Sequence, residues 1–552
     1  MSIEMQGVES KVFEGQIVDL QAREIFSGRV TILGGVIESI ERCEVAQSQG
    51  YIMPGFVDSH VHIESSMMIP ENFAKVAVRR GTVAVVSDPH EIANVMGREG
   101  VDFMVSNAEY GAIKCFFTIP SSVPATPFDV AGGVISVADV EEMAASGDFV
   151  ALSEVMNAHG VVNEYLDTLA KISAAVDNGL VVDGHAPMLS GDDLTKYVAS
   201  GISTDHECSN EAEALEKIAQ GMKILIREGS AAKNYDALKS LLASNPESVM
   251  FCTDDISAAD LTQRGEIDYI VKRAIADGYD IFDVLRAACV NGVDHYDLSV
   301  GQLVEGDSAD FIVVEDLKEF KVSQVYVDGE CQYNSAESVE ADGSVENFTI
   351  SLNNFERGRV TLSSLMKEVS GTIDVIQIIP NEIVTERFSY TPDSLKPNMD
   401  SDLENDILKI VYINRYDKES EPQVAFCRGF GLKRGAIATS VSHDSHNIIA
   451  VGCSDMELAM AINHLIDMRG GMSVCEGGLV ETLPLPIGGI MSDQGAEKVV
   501  EEYDRLRGMV QEMGSELPSP FMTLSFMALV VIPSLKIGER GLFDYQKFGW
   551  VE

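Results

Sequence analysis

Between Pro54 and Asp255 one pattern recurs eight times: a short apolar run ends in polar or charged residues, and a helical stretch follows. The runs are PGFVDSHVHIESS (54–66), GTVAVVSDPHE (81–91), IKCFFTIPSSVP (113–124), FVALSEVMN (149–157), GLVVDGHAP (179–187), GISTDHEC (201–208), MKILIREGS (222–230) and VMFCTDD (249–255). Continuous β-branched runs separated by helices are what a parallel sheet buried on both faces requires. Eight such units in roughly 200–250 residues match a closed (β/α)8 barrel better than an open doubly wound sheet. In such a barrel the chemistry sits at the C-terminal strand ends, where the His, Glu and Asp residues of these runs collect. One connecting helix is readable in detail: Asn210 and Glu213 form its start, and Leu215, Ile218 and Met222 its expected inward stripe.

The flanks read differently. Residues 11–50 and 301–330 hold short alternating segments such as GRVTILGGVIESI, which predict antiparallel strands that pair beside the barrel. The expected fold class is therefore α/β, a (β/α)8 TIM barrel over 53–300. Residues 1–52 and 301–334 supply a small composite β domain. An acidic linker is expected at 335–346 (SAESVEADGSVE), followed by a C-terminal α/β domain over 347–552. In that last part Ser454 and Glu457 predict a capping box. Leu458, Ala461, Ile462 and Leu465 form the stripe of its helix, and Gly470-Gly471 its stop.

The charge balance narrows the partners. Forty basic residues stand against 87 acidic ones, a net charge of −47, and such a field repels phosphate backbones and anionic lipid. A small neutral substrate fits; nucleic acid and membrane surfaces do not. MSIEMQGVES lacks the basic start and apolar run of a secretory signal. The late apolar run Phe521–Leu535 contains Pro533 and falls short of the ~20 residues of a membrane helix. A cytoplasmic protein is expected, with homo-oligomers possible. The nine cysteines contain no CxxC pair, so Cys208 and Cys252, close to candidate ligands, read as small buried side chains.

His60 and His62 lie two apart at a strand end, where period-2 geometry turns both imidazoles to one side and lets them grip one cation. Asp58 stands close by as a supporting partner. His185, His206 and Asp254 end further runs, so a barrel brings four imidazoles and a carboxylate around one opening. Glu154 ends the fourth run. Two metals ~3.5–4 Å apart need an anionic bridge; no lysine in that run offers a carbamate, which leaves Glu154 as the natural bridge. Ser230, Lys233 and Asn234, after the seventh run, read as cappers of the next helix more readily than as substrate contacts.

The motif PGFVDSHVHIESSM, the His/His/Asp strand-end set and the downstream AACVNGVDHYDL and GQLVEGDSADFIVV resemble the amidohydrolase superfamily. More narrowly, SDPHEIANVMG, GHAPMLSGDDL, STDHECSNEAEALEKIAQGMKILIREGSAAKN and SHDSHNIIAVG are similar to bacterial and archaeal adenine deaminases, over nearly the whole chain. The resemblance implies hydrolysis of adenine to hypoxanthine and ammonia in purine salvage. It also implies a divalent metal: manganese, with iron or zinc as alternatives, and a binuclear site. Its implied ligands are His60, His62, Glu154, His185, His206 and Asp254, none of which departs from the pattern.

That reaction needs a nucleophile near pH 7, which a divalent pair supplies by lowering the pKa of water. Asp254 can accept the water proton and pass it to the leaving group. A second acid must protonate ring nitrogen N1; Glu207 and Glu91 are the candidates, and the sequence does not choose between them. His443, Asp444 and His446, in a segment expected to reach over the barrel mouth, are the candidate substrate contacts together with His90. Two rivals share the pattern: another reaction on the same scaffold, cyclic amide opening or N-deacetylation, and an inactive barrel used as a scaffold. Retention of all six ligands speaks against the second.

Overall fold

The computed structural model describes residues 10–44, 50–230, 232–337, 352–380, 382–392 and 399–551. The eight apolar runs form eight parallel strands: β1 (Phe56–Val61), β2 (Thr82–Ser87), β3 (Lys114–Ile119), β4 (Phe149–Val155), β5 (Val181–Gly184), β6 (Thr204–Asp205), β7 (Lys223–Arg227) and β8 (Val249–Cys252). β1 to β5 pair in order as one sheet and β6 to β8 as another. The Ser203 amide donates to Val182 O at 2.9 Å across one gap, and the Asp254 amide to His60 O at 2.9 Å across the other. The strands therefore close into a (β/α)8 ring.

β1, β2 and β8 are buried along their whole length, which explains their unbroken apolar character. Backbones approach closely at the entry to β1. A Cβ at Gly55 would lie 2.2 Å from the Val83 side chain, so only glycine fits there.

The helix after β6, Glu211–Ala219, starts as expected, with the Asn210 side chain accepting from the Glu213 amide. Of the predicted stripe, Met222 is buried and Ile218 packs against the core, but the third member departs. Leu215 is 40% exposed, while Lys217 is fully buried. Lys217 Nζ donates to Asp205 Oδ2 at 2.9 Å, Glu213 Oε1 at 2.8 Å and Ala186 O at 2.7 Å. A lysine whose three donors are all satisfied tolerates burial, and apolar periodicity cannot register that.

Beside the barrel lies a seven-stranded sheet that interleaves two distant segments. Strands Ser10–Asp19, Glu24–Leu33 and Val36–Arg42 form one side and Phe311–Val314, Val322–Val327 and Glu330–Asn334 the other, with Tyr51–Pro54 between them. Of the expected linker, positions 338–346 lie outside the described residues.

The C-terminal part contains an eight-stranded, largely antiparallel sheet covered by two helices, Asp455–Met468 and Ala496–Glu512. In the first helix Ser454 caps the Glu457 amide, and Leu458, Ala461, Ile462 and Leu465 are buried. Its stop comes earlier than Gly470: Arg469 itself takes the left-handed conformation, φ 62°, because the two glycines are needed to enter the next strand, Gly471–Glu476.

Strands Ala436–Thr439 and Ile448–Gly452 pair antiparallel, and the segment between them, 440–447, turns against the barrel. That segment is buried throughout and pinned. Asn447 Nδ2 donates to Val130 O at 2.8 Å and to the Tyr412 hydroxyl at 2.7 Å, and the Tyr416 hydroxyl donates to Ser445 O at 2.7 Å. Among the described residues no helix is long and apolar enough to cross a membrane.

Candidate active site

His60 and His62 project from the end of β1 with ring centroids 4.7 Å apart. His62 Nε2 lies 3.2 Å from Asp254 Oδ1, just beyond β8, and His60 Nε2 lies 3.5 Å from the same oxygen. Asp58 supports them from behind through backbone. It accepts from the His60 amide at 3.2 Å and the Thr253 amide at 3.1 Å, so it fixes the β1–β8 seam rather than an imidazole ring.

Glu154, on β4, is the centre of the cluster. Its Oε2 lies 2.6 Å from His185 Nδ1 and 3.1 Å from His206 Nε2, and its Oε1 3.5 Å from His62 Nε2 and 3.6 Å from His90 Nδ1. His90 Nδ1 also meets Asp88 Oδ2 at 2.9 Å. The six side chains nominated from the sequence are thus brought together.

The donor types of this cluster suit a cation. Burial pushes the Glu154 carboxyl up, but the imidazoles of His185 and His206 outweigh it and hold the group well below the carboxylate range. Burial likewise opposes ionisation of Asp254, and Arg227, His60 and His62 override it. Burial and neighbouring His206 push His60 down, leaving a neutral ring whose buried Nε2 has no hydrogen-bond partner. A neutral imidazole with an orphaned nitrogen beside ionised carboxylates is a donor set for a divalent ion. Ligand atoms of His60, His62 and Asp254, and of His60, Glu154 and His206, lie within 4.8 Å of one another.

Glu207 does not stand free. Arg227, at the end of β7, grips it with Nη1 at 2.5 Å and Nη2 at 2.9 Å, and the same Nη1 reaches Asp254 Oδ2 at 2.5 Å. Burial raises the Glu207 carboxyl, and Arg227 and His185 more than offset this.

Glu91 opens the helix His90–Met96 that follows β2. Its Oε1 lies 2.6 Å from His443 Nδ1, and its Oε2 makes a short contact with His446 Nε2. The segment around 443 therefore meets the barrel at the cleft, as expected, but through Glu91. The His443 ring stacks on Phe526, centroids 4.8 Å apart and planes 15° apart. Asp444 also lines the cleft, a cavity of about 480 Å3 counting its open part. Its far wall is apolar: Ile383, Phe526, Leu529, Val531 and Ile532.

Four features of this cleft were missed in the sequence. Asp88, Arg227 and Asp255 sit at or just past strand ends, the position that selected the others. The apolar wall carried no such signal. Ser230, Lys233 and Asn234 neither cap a helix by side chain nor reach into the cleft's polar floor. Asn234 receives the Arg227 amide at 2.8 Å and donates to His206 O at 2.9 Å, and Ser230 binds Asp260 Oδ2 at 2.5 Å, so these two tie strand-end loops together. Lys233 bridges by backbone to Glu228. Cys208 and Cys252 are buried, as expected.

Comparison with known proteins decides the family. Residues 51–331 match the model of the amidohydrolase family, and residues 382–549 that of the adenine deaminase C-terminal domain. Adenine deaminase of Sulfurovum sp. is 48% identical over 536 residues, covering 97% of this chain and 98% of its own. That of Methanosarcina barkeri is 47% identical over 551 residues, with 98% and 99% covered. The chain belongs to the adenine deaminase family. That of Salinibacter ruber, 45% identical over 541 residues and 98% covered on both sides, is a further relative. Membership in the amidohydrolase superfamily implies a divalent-metal site, and a His/Asp/Glu cluster that could hold such an ion stands at the barrel mouth.

Proposed function

We propose that this protein hydrolyses adenine to hypoxanthine and ammonia, with a pair of divalent ions held by His60, His62, Glu154, His185, His206 and Asp254. The observation that carries this reading is Glu154: one buried carboxylate touching His62, His185 and His206 from three other strand ends, in a chain of the adenine deaminase family. Bound divalent ions lower the pKa of water toward neutrality and so make a nucleophile available at pH 7.

The chain's own residues do the rest. Asp254 accepts the proton of the attacking water and later delivers it to the departing amino group. Arg227, bonded to Asp254 Oδ2, leaves Oδ1 toward the imidazoles and holds the carboxylate's orientation. The apolar wall from Ile383 to Ile532 faces the polar floor and keeps water from the purine. Manganese is the metal we propose, and the net charge of −47 favours free adenine over AMP.

The test is an assay of adenine loss and ammonia release in protein loaded separately with manganese, iron and zinc, with AMP, a cyclic amide and an N-acetyl sugar in parallel. Adenine turnover with manganese and much poorer use of AMP are expected. Turnover of the amide or the sugar in place of adenine overturns the assignment, and full activity in metal-free protein overturns the mechanism.

A further inference from the structure

Neither glutamate that the sequence offers for protonating N1 is free to do so. Glu207 is in a two-pronged ion pair with Arg227. Glu91 receives hydrogens from two rings, and which ring nitrogens carry them follows from the backbone. The Ser442 amide donates to His446 Nδ1 at 3.2 Å. That nitrogen is therefore an acceptor, so the His446 hydrogen is on Nε2 and points at Glu91 Oε2. The same tautomer removes the lone pair that a metal would need there, although Glu91, His443 and His446 lie close enough to grip one. His443 Nδ1, 2.6 Å from Glu91 Oε1, carries a hydrogen as well. Its other nitrogen, Nε2, is buried without a hydrogen-bond partner in a ring that lines the cleft and is held flat on Phe526.

We propose that His443 is the acid that protonates N1 of adenine, with Glu91 and His446 as positioning residues behind it. This rests on the assignment of adenine as substrate.

Protonation favours the role. Burial pulls the His443 imidazole down, but Glu91, Asp255 and Asp444 outweigh it and lift the group to about 9. His446, the other imidazole on Glu91, is pushed down by burial to about 4 and stays neutral. Asp444 is the competitor. Burial raises its carboxyl to about 7, so it is only partly protonated at neutral pH, and its Oδ2 has no partner to aim it.

The balance closes. Water adds its oxygen to C6 as its proton passes to Asp254, and the N1 lone pair takes the proton of His443 Nε2. Nδ1 keeps its hydrogen on Glu91. The C6–amino bond then breaks, its electron pair leaving with nitrogen, which takes the Asp254 proton and departs as ammonia. The C6 hydroxyl loses its proton as the carbonyl forms, and that proton restores His443. Hypoxanthine keeps the hydrogen on N1.

The experiment is the pH profile of kcat/KM for adenine, with metal content measured in the same preparations, for the manganese-loaded parent and its variants. The parent should lose activity as pH rises through about 9, where His443 gives up its proton. His443→Gln should fall at least ~10²-fold with metal content unchanged, and its high-pH limb should vanish. Glu91→Gln removes the anion that keeps His443 protonated, so its limb should move to lower pH. An active parent with His443→Gln within about threefold of it, or with its limb unmoved, overturns the proposal alone. So does a Glu91→Gln limb that stays in place, a result that stands even if His443→Gln does not fold. Loss of the limb in Asp444→Asn instead transfers the role to Asp444. A parent that leaves adenine untouched with every metal overturns the functional assignment, and this proposal with it.

Discussion

Glu154 and Glu91 are both buried glutamates at the mouth of one barrel, each against two or more imidazoles, yet their surroundings ask for different things. Around Glu154 imidazoles and further carboxylates crowd together. Asp254, Asp88 and Glu207 add carboxylates, and His60 Nε2 has no partner. A cation would satisfy such a set, and an unpaired buried polar atom costs about 1–3 kcal/mol. Around Glu91 the hydrogens are already assigned, since the Ser442 amide fixes His446 and both carboxylate oxygens are filled. Residue types do not separate a metal centre from a proton relay. For the roles we propose, the placement of one backbone N–H does.

The comparison can be broken most directly at Glu154. Glu154→Gln keeps the shape and removes the shared charge, so bound metal should drop and turnover should fall to the metal-free level. Elemental analysis beside an adenine assay checks it, and a variant that keeps both its metal and its rate shows that Glu154 bridges nothing. Asp254→Asn is the next largest effect. It removes the proton acceptor while leaving most of the site in place, so kcat should fall at least ~10²-fold with the thermal midpoint little changed; near-normal turnover reassigns the base. The smallest effect sharpens the other side. His446→Gln leaves the metal centre untouched and loosens Glu91 alone, so kcat/KM should fall ~10-fold, about 1.4 kcal/mol, at unchanged metal content. Loss of metal in that variant would merge the two clusters into one.

The barrel was legible because parallel strands buried on both faces leave no room for alternation, and runs such as VAVVS and VMFC can be read from composition alone. The ligands were legible for a related reason, standing where each run turns polar. What escaped has a common physical cause. Lys217 sits on the inner face of its helix because Asp205 and Glu213 neutralise it, and a hydrophobic stripe cannot show an ion pair. Arg227 resembles any charged residue closing a strand until its two carboxylate partners, 20 and 27 positions away, are known. The contact between Glu91 and His443 spans 352 positions. It depends on how the C-terminal sheet docks, which no local pattern encodes. The apolar run from 521 was read only as too short for a membrane; in the fold it supplies Phe526, Leu529, Val531 and Ile532 to the cleft.

Asp254 completes the strand-end set, and His443 follows it 189 positions later. At a synthesis rate of ~5–20 residues per second, some 10–40 s separate the two. A growing chain thus holds every side chain of the metal site we propose well before it holds the proton donor we assign. During that interval the segment 440–447 is not yet present to meet Glu91, so on the roles we propose the donor set stands open before its proton donor arrives.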